Sequence, residues 1–430
     1  MKETRDDSGP SRTRPAPKDP GGGRNRVLVT GLGAVSPYGP GVEALWQGLL
    51  EGRRPLSPLP GAEKIPGLGV RVVGLVPELD AKLIPRTYRR AMSRMGLFAS
   101  LAAREALDSA GLAEDWPRAM GLALGTTMGS PETLTEFFSQ YLVAKDFSGI
   151  RGATFFKIMG HGAASALAQY LGLTGRLLAP SAACAAGLQA IGLAYEAISA
   201  GREEIMLCGG TEEFDILTAL TFDQILAASH NPDPQTASRP FDSQRDGLVC
   251  SEGAGLIILE SESHARSRGA AVLAEIAGFG LSSSPSNLVH PEIEGLTRAM
   301  QAALDDSGLS PREIQAVNAH ATATVEGDRA EALAIAALLG GEVPVNSLKS
   351  LLGHSMAASG ALELIASIRM ISQDIFIPNY NFNHLADDSI KLRLPKFPQK
   401  LIITALLKNS FALGGVNASL VVKKCIDRPT

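Results

Sequence analysis

Ala106-Leu107-Asp108-Ser109-Ala110-Gly111-Leu112 recurs as Ala303-Leu304-Asp305-Asp306-Ser307-Gly308-Leu309. Each copy closes an apolar-periodic helix with glycine, the residue that most readily turns a helix end through the left-handed region. Each is followed at the same distance by an apolar strand, residues 120–124 aligning without a gap with Val317-Asn318-Ala319-His320-Ala321. Two further echoes keep the order. The small-residue run 185–194, read as a buried helix behind Cys184, is matched by Gly353-His354-Ser355-Met356-Ala357-Ala358, and Leu207-Cys208-Gly209-Gly210-Thr211 by Leu413-Gly414-Gly415-Val416-Asn417. One such match could arise by chance in Ala- and Leu-rich helices. Their preserved order points to duplication, two similar α/β halves packed without a linker.

Elements between the repeats alternate. Helical periodicity runs over residues 42–50 and 88–110 and again near 160–170. Buried strands read at 120–125, 205–208, 256–259 and 271–277. This pattern predicts a mostly parallel sheet covered by helices. The halves are expected at 26–270 and 271–425. Residues 1–25, rich in Pro, Gly and charge, cannot bury enough surface to order themselves and read as a disordered tail or an overextended start.

The chain has 430 residues, 45% hydrophobic and 20% charged, enough to bury a large core. A net charge of -4 gives no electrostatic case for nucleic acid or an anionic membrane. No apolar run approaches a membrane span, and the N-terminus lacks the apolar core of a secretory signal. The four cysteines, 184, 208, 250 and 425, show no C-x-x-C spacing and no metal-ligand pattern with the seven histidines. They read as reduced thiols in a cytoplasmic protein.

Cys184 falls at a strand-to-helix turn, where backbone N–H groups and the helix dipole favour the thiolate and lower a thiol pKa. A buried cysteine also packs well as a small hydrophobe, so two readings stand here: nucleophile and core residue. The second half contributes two histidines at element ends. His320 closes an apolar strand, and His354 opens the second small-residue helix, five residues after Lys349. A histidine at an element end is often structural. Two of them, matched by the repeat to the half that carries Cys184, favour a shared site at strand carboxyl ends.

Taken in order, several segments resemble one family. They are Val29-Thr30-Gly31-Leu32-Gly33-Ala34-Val35-Ser36-Pro37, the Cys184 segment, Gly209-Gly210-Thr211-Glu212, Arg239-Pro240-Phe241-Asp242 with Arg245-Asp246-Gly247, Asn318-Ala319-His320, Lys349-Ser350 with Gly353-His354, and Asn409-Ser410-Phe411 with Gly414-Gly415. From about Arg26 to Lys424 the chain resembles the elongating β-ketoacyl-acyl-carrier-protein synthases of Cys-His-His type. The resemblance implies the thiolase fold, two duplicated halves layered αβαβα. It also implies decarboxylative condensation of malonyl carrier protein with an acyl group held as a thioester on Cys184.

The same resemblance assigns roles. His320 and His354 would donate N–H bonds to the developing enolate oxygen, and the backbone N–H groups of Cys184 and Leu413 would form an oxyanion hole. Lys349 matches a lysine that hydrogen-bonds within the site, with Glu331 and Asp328 as its acidic partners. Thr322 and Thr324 match hydroxyls that hold the pantetheine arm, Phe411 an aromatic at the site, and Met128 and Leu413 the lining of an acyl pocket. No bound cofactor or metal is implied, since phosphopantetheine on an acyl carrier protein carries the substrates. The implied assembly is a homodimer, or a heterodimer with a chain-length subunit.

Two departures stand out. After His320 the family usually has Gly-Thr-Ser-Thr or Gly-Thr-Gly-Thr, against Ala321-Thr322-Ala323-Thr324 here. Its Phe-Gly-Phe-Gly-Gly is here Phe411-Ala412-Leu413-Gly414-Gly415. Altered gating of the acyl pocket rather than lost catalysis is expected; the chain extended is a fatty acid, polyene or polyketide, and the departures are compatible with a specialised polyene or polyketide ketosynthase. The alternatives are a noncatalytic chain-length or scaffold partner, which typically lacks the nucleophile, and a CoA-dependent thiolase relative. The latter needs a second active-site cysteine, and none of Cys208, Cys250 and Cys425 sits in a matching motif.

Overall fold

Ten strands follow one path that reads nearly the same from either end. In the computed structural model, which describes residues 24–425 apart from 147, 286–287, 386 and 388–389, they are β1 (Val27–Ser36), β2 (Gly121–Gly125), β3 (Leu177–Leu178), β4 (Ile205–Glu212), β5 (Gly253–Ser261), β6 (Ala274–Ser283), β7 (Ala316–Asn318), β8 (Val345–Asn346), β9 (Ala405–Phe411) and β10 (Val416–Lys423). The sheet order is β8-β7-β9-β10-β6-β1-β5-β4-β2-β3, and Gly39–Pro40 pairs with β1 as an eleventh strand. All but the last two residues of the tail expected over 1–25 lie outside the described residues.

From the centre outward the two sides correspond. β1 pairs antiparallel with β5 as β6 does with β10, and β5 pairs antiparallel with β4 as β10 does with β9. β4 then pairs parallel with β2, and β9 with β7; β3 and β8 close the two edges in parallel. The halves join where β1 meets β6, antiparallel, through Val27↔Ile276, Leu28↔Glu275 and Val29↔Ala274. The expectation of a mostly parallel sheet is therefore corrected. The apolar runs that suggested it come from burial on both faces, which antiparallel strands also have when helices cover both sides.

The helices supply that cover. α1 (Arg94–Ser109) lies on the outer face of the first half and α3 (Ile293–Ser307) on that of the second, with α4 (Val325–Leu339) beside α3. α2 (Ala186–Ser199) and α5 (Met356–Gln373) pack on each other between the halves, completing the αβαβα layering. Alternate strand residues serve different cores: Ile257 and Leu259 join the inner core with α2 and α5, while Leu256 and Ile258 join the outer one with α1. Among the described residues no helix is long and apolar enough to cross a membrane.

The helix-ending repeat is structural, since Gly111 and Gly308, beyond α1 and α3, have φ of +70° and +68°. The glycine-pair echo is not. Gly209 and Gly210 lie inside β4, whereas Gly414 and Gly415 form the turn between β9 and β10. Helical periodicity over 88–110 is also interrupted: α1 starts only at Arg94, where the Ser93 hydroxyl accepts the Gly96 N–H at 3.3 Å.

α2 and α5 approach closely because glycines face backbone. A β-carbon at Gly187 would lie 2.2 Å from the Ala357 carbonyl oxygen, and one at Gly210 would lie 2.1 Å from the same atom. Gly187→Ala is expected to force the helices apart and lower stability by about 1–3 kcal/mol, read as a lower urea midpoint with an unchanged m-value. An unchanged midpoint would show that the contact is not tight.

Candidate active site

The two central helices start in the same unusual way. Ala183 has φ +45° and leads into a single 3-10 turn, Ala183–Ala185, from which α2 runs on; Met356, the first residue of α5, also has φ +45°. Left-handed backbone at a non-glycine residue is strained and persists only where its surroundings hold it. In the first half the strained turn presents Cys184. In the second it follows His354 by two residues, with the His354 N–H donating to Val249 O at 2.7 Å and its carbonyl accepting Ser251 N–H at 2.9 Å. His320 sits beyond the end of β7. Its backbone N–H and that of Ala321 donate to the two oxygens of Glu331 at 2.9 and 2.7 Å.

These entries bring Cys184, His320 and His354 together. The cysteine sulfur and one ring nitrogen from each histidine lie within 4.8 Å of one another, and all three residues are buried. The rings meet edge to face, centroids 5.2 Å apart. Nδ1 of His320 and both ring nitrogens of His354 are buried without a hydrogen-bond partner. Orphaned polar atoms are costly in a core and mark a place built to receive polar groups. They line a cavity of about 400 Å³ that contains Cys184, His320, Thr322, Thr324, Phe411 and Leu413. Thr322 and Thr324 hydroxyls are 3.1 Å apart, and the Phe411 ring stands 6.4 Å from that of His320.

Charge below the cluster is arranged around one carboxylate. Glu363, from α5, accepts Lys349 Nζ at 2.6 Å on one oxygen and Lys408 Nζ, from β9, on the other. All three side chains are buried. Burial opposes ionisation of Glu363, yet the two ammoniums hold it below the usual carboxylate range. Burial first, then the Lys349 ammonium, keeps both imidazoles well below the ordinary histidine range, and Lys408 adds to this. Burial also pushes the Cys184 thiol up to about 12, while Lys349 pulls it down. That reverses the direction expected for a thiol at a helix start, because desolvation of the thiolate outweighs the local dipoles. The donors are of types that bind zinc, a convergence that the histidine and cysteine spacing did not reveal. Two lysine ammoniums beneath them disfavour a divalent cation there.

Other expectations are redistributed. Lys349 is paired with Glu363 rather than with Glu331 or Asp328. Those two carboxylates brace backbone instead: Glu331 holds the turn after His320 and accepts Asn409 Nδ2 at 3.0 Å, and Asp328 accepts Phe241 N–H at 2.7 Å and Ala323 N–H at 3.0 Å. Met128 is 40% exposed and outside the cavity lining of this chain. Leu413 does line the cavity, on a turn tied down by Gly414 N–H to Leu288 O at 2.8 Å and Ser284 N–H to Gly415 O at 2.8 Å. Cys250 packs in one small cluster with Cys184, Leu248 and Met356. Sequence reasoning missed Glu363 and Lys408, although the first is a lone charge inside an apolar run, Ala361-Leu362-Glu363-Leu364-Ile365, and the second directly follows one, Ala405-Leu406-Leu407. A charge so placed must be buried with a partner.

A family model described as "Beta-ketoacyl synthase, N-terminal domain" matches residues 24–265, and one described as "Beta-ketoacyl synthase, C-terminal domain" matches 273–383. Nodulation protein E of Rhizobium sp. (strain N33) is 34% identical over 93% of this chain and 99% of its own. The 3-oxoacyl-[acyl-carrier-protein] synthase 2 of Synechocystis sp. is 34% identical over 93% and 98%. Among solved structures, a β-ketoacyl synthase from Burkholderia phymatum STM815 superposes with a TM-score of 0.90 at 35% identity, over 94% of this chain and all (100%) of that one. The ishigamide ketosynthase/chain length factor superposes with a TM-score of 0.87 at 32% identity, over 94% and 100%.

Lys349→Met is expected to slow iodoacetamide alkylation of Cys184 at pH 8 by about tenfold, since removing the ammonium makes the buried thiolate harder to form. Equal rates in the two proteins would show that the ammonium does not act on the sulfur.

Proposed function

This chain belongs to the β-ketoacyl synthase family, and we propose that its Cys-His-His cluster is the centre at which the family's reaction takes place. The reaction is decarboxylative condensation, an acyl transfer that uses no cofactor of the enzyme's own. The observation that carries the assignment is the buried thiol beside two imidazoles whose ring nitrogens lack partners, at the wall of a largely apolar cavity.

In the first half-reaction the Cys184 sulfur attacks the thioester carbonyl of the acyl carrier. The C–S bond to pantetheine breaks, and the thiol proton leaves on the pantetheine sulfur, giving acyl-Cys184 without a persistent buried charge. The carbonyl oxygen, negative in the transition state, is held by the Cys184 and Leu413 backbone N–H groups. In the second, a malonyl thioester lies with its carbonyl oxygen against His320 and His354. Loss of CO2 leaves an enolate, which the two ring N–H groups stabilise. Its carbon attacks the carbonyl of acyl-Cys184, a C–C bond forms as the C–S bond to Cys184 breaks, and the sulfur departs as a thiolate that regains a proton from solvent. Neutral imidazoles suit this task, since each ring keeps an N–H donor without adding positive charge. Thr322 and Thr324 hold the pantetheine arm, and Phe411 walls the cavity beside His320.

The carrier protein is the partner that this chemistry needs. A second subunit, identical or of the chain-length type, is the assembly we favour, because the exposed Met128, Phe138, Phe155 and Phe156 give this chain an apolar surface to cover. We place the enzyme in the cytoplasm and in a specialised polyene or polyketide pathway. Leu413 and Ala412 at the cavity, in place of the family's Phe and Gly, support that reading.

Cys184→Ala is expected to carry no acyl group by intact-protein mass spectrometry and to lose condensation by more than about a thousandfold. His320→Ala and His354→Ala should each cost about a hundredfold to a thousandfold in decarboxylation. Condensation surviving in Cys184→Ala would overturn the assignment. Leu413→Phe should change the relative rates for acyl chains of different length, and an unchanged profile would remove Leu413 from the gate.

A further inference from the structure

Lys408 is buried in the middle of β9, where its neighbours Leu406 and Leu407 are core residues. Its ammonium bonds to Glu363 and to the Asn409 carbonyl oxygen, the latter at 2.7 Å. The Asn409 side-chain amide in turn donates to Glu331, which holds the backbone N–H of His320. Lys408 thus joins two networks: Lys349 and Glu363 on one side, Asn409, Glu331 and His320 on the other. It also sets the local charge. Facing it are Glu363 from α5, Lys349 from the short helix Lys349–Leu352, Glu331 from α4, and the two imidazoles. Glu363 carries two cations on one carboxylate, and Glu331 is already occupied by three N–H donors.

We infer that Lys408 is a positioning residue of the condensation site, whose second ammonium on Glu363 adds to burial and Lys349 in holding His320 and His354 in the neutral form that donates N–H bonds to the enolate. The inference rests on the reading of the Cys-His-His cluster given above. A positive charge nearby disfavours imidazolium, so removing it raises the histidine pKa values and moves the acid limb of the rate upward in pH. Burial draws Lys408 itself down to about 8, so its charge weakens above that pH and the effect belongs to the acid side.

The test counts charges. Lys408→Met and Lys408→Gln both remove the ammonium, and either one that keeps the wild-type Tm within a few degrees serves. The acid limb of kcat/KM for condensation of acyl and malonyl carrier proteins should rise by about one pH unit. Adding Glu363→Gln to the same variant restores the net charge of the lysine–glutamate group while breaking its hydrogen bonds further, and it should return the limb toward the wild-type pH. A purely structural role would leave the limb in place in the single variant, or shift it at least as far in the double variant; either result overturns the inference. Cys184→Ala assayed alongside separates the two readings. Activity in that variant overturns the site, whereas an inactive Cys184→Ala with an unmoved limb overturns only the role of Lys408.

Discussion

The approach of α5 to α2 is the constraint on which the site depends. Two helices belonging to different halves are pressed together until a glycine of one faces a backbone carbonyl of the other, with room for a hydrogen but not a methyl group. The contact sets the Cys184 turn against the start of α5, next to His354. Both helices enter through a left-handed residue, Ala183 or Met356. Tight packing of this kind over-determines the local backbone, which is what strained conformations require to persist.

Below that contact lies an electrostatic arrangement that packing alone would not produce. A carboxylate and two ammoniums are buried under two imidazoles and a thiol, and each changes what the others can hold. Ionised groups in a core are unfavourable unless paired and hydrogen-bonded, and removing one partner leaves the other stranded. The lysine–glutamate group therefore makes the site sensitive to substitutions that never touch substrate. Three orphaned ring nitrogens above it are the complement: polar atoms left unsatisfied at the wall of a cavity, where incoming polar groups can meet them.

Much of this was legible in the residues, for physical reasons that differ from feature to feature. Gly111 and Gly308 announced the duplication because a helix end in the left-handed region selects glycine. Cys184, His320 and His354 were legible because each sits at an element boundary. Strand direction was not, since a run such as Leu256-Ile257-Ile258-Leu259 records burial on both faces and nothing of its neighbour's polarity. The Gly209-Gly210 echo misled because a pair of small residues serves a close helix approach inside a strand as well as it serves a turn. Glu363 escaped notice because partners far apart in sequence are found only once the chain is folded.

The three-pair seam between β1 and β6 also bears on how the protein is made. Val27 meets Ile276 only after about 250 intervening residues have been synthesised, and contacts of such sequence separation form late. At ordinary synthesis rates β1 waits on the order of tens of seconds for its partner strand, with Val27, Leu28 and Val29 on an open edge. An unpaired apolar edge invites association with other chains. The seam that joins the two halves is thus also the place where the unfinished chain is most open to unwanted pairing.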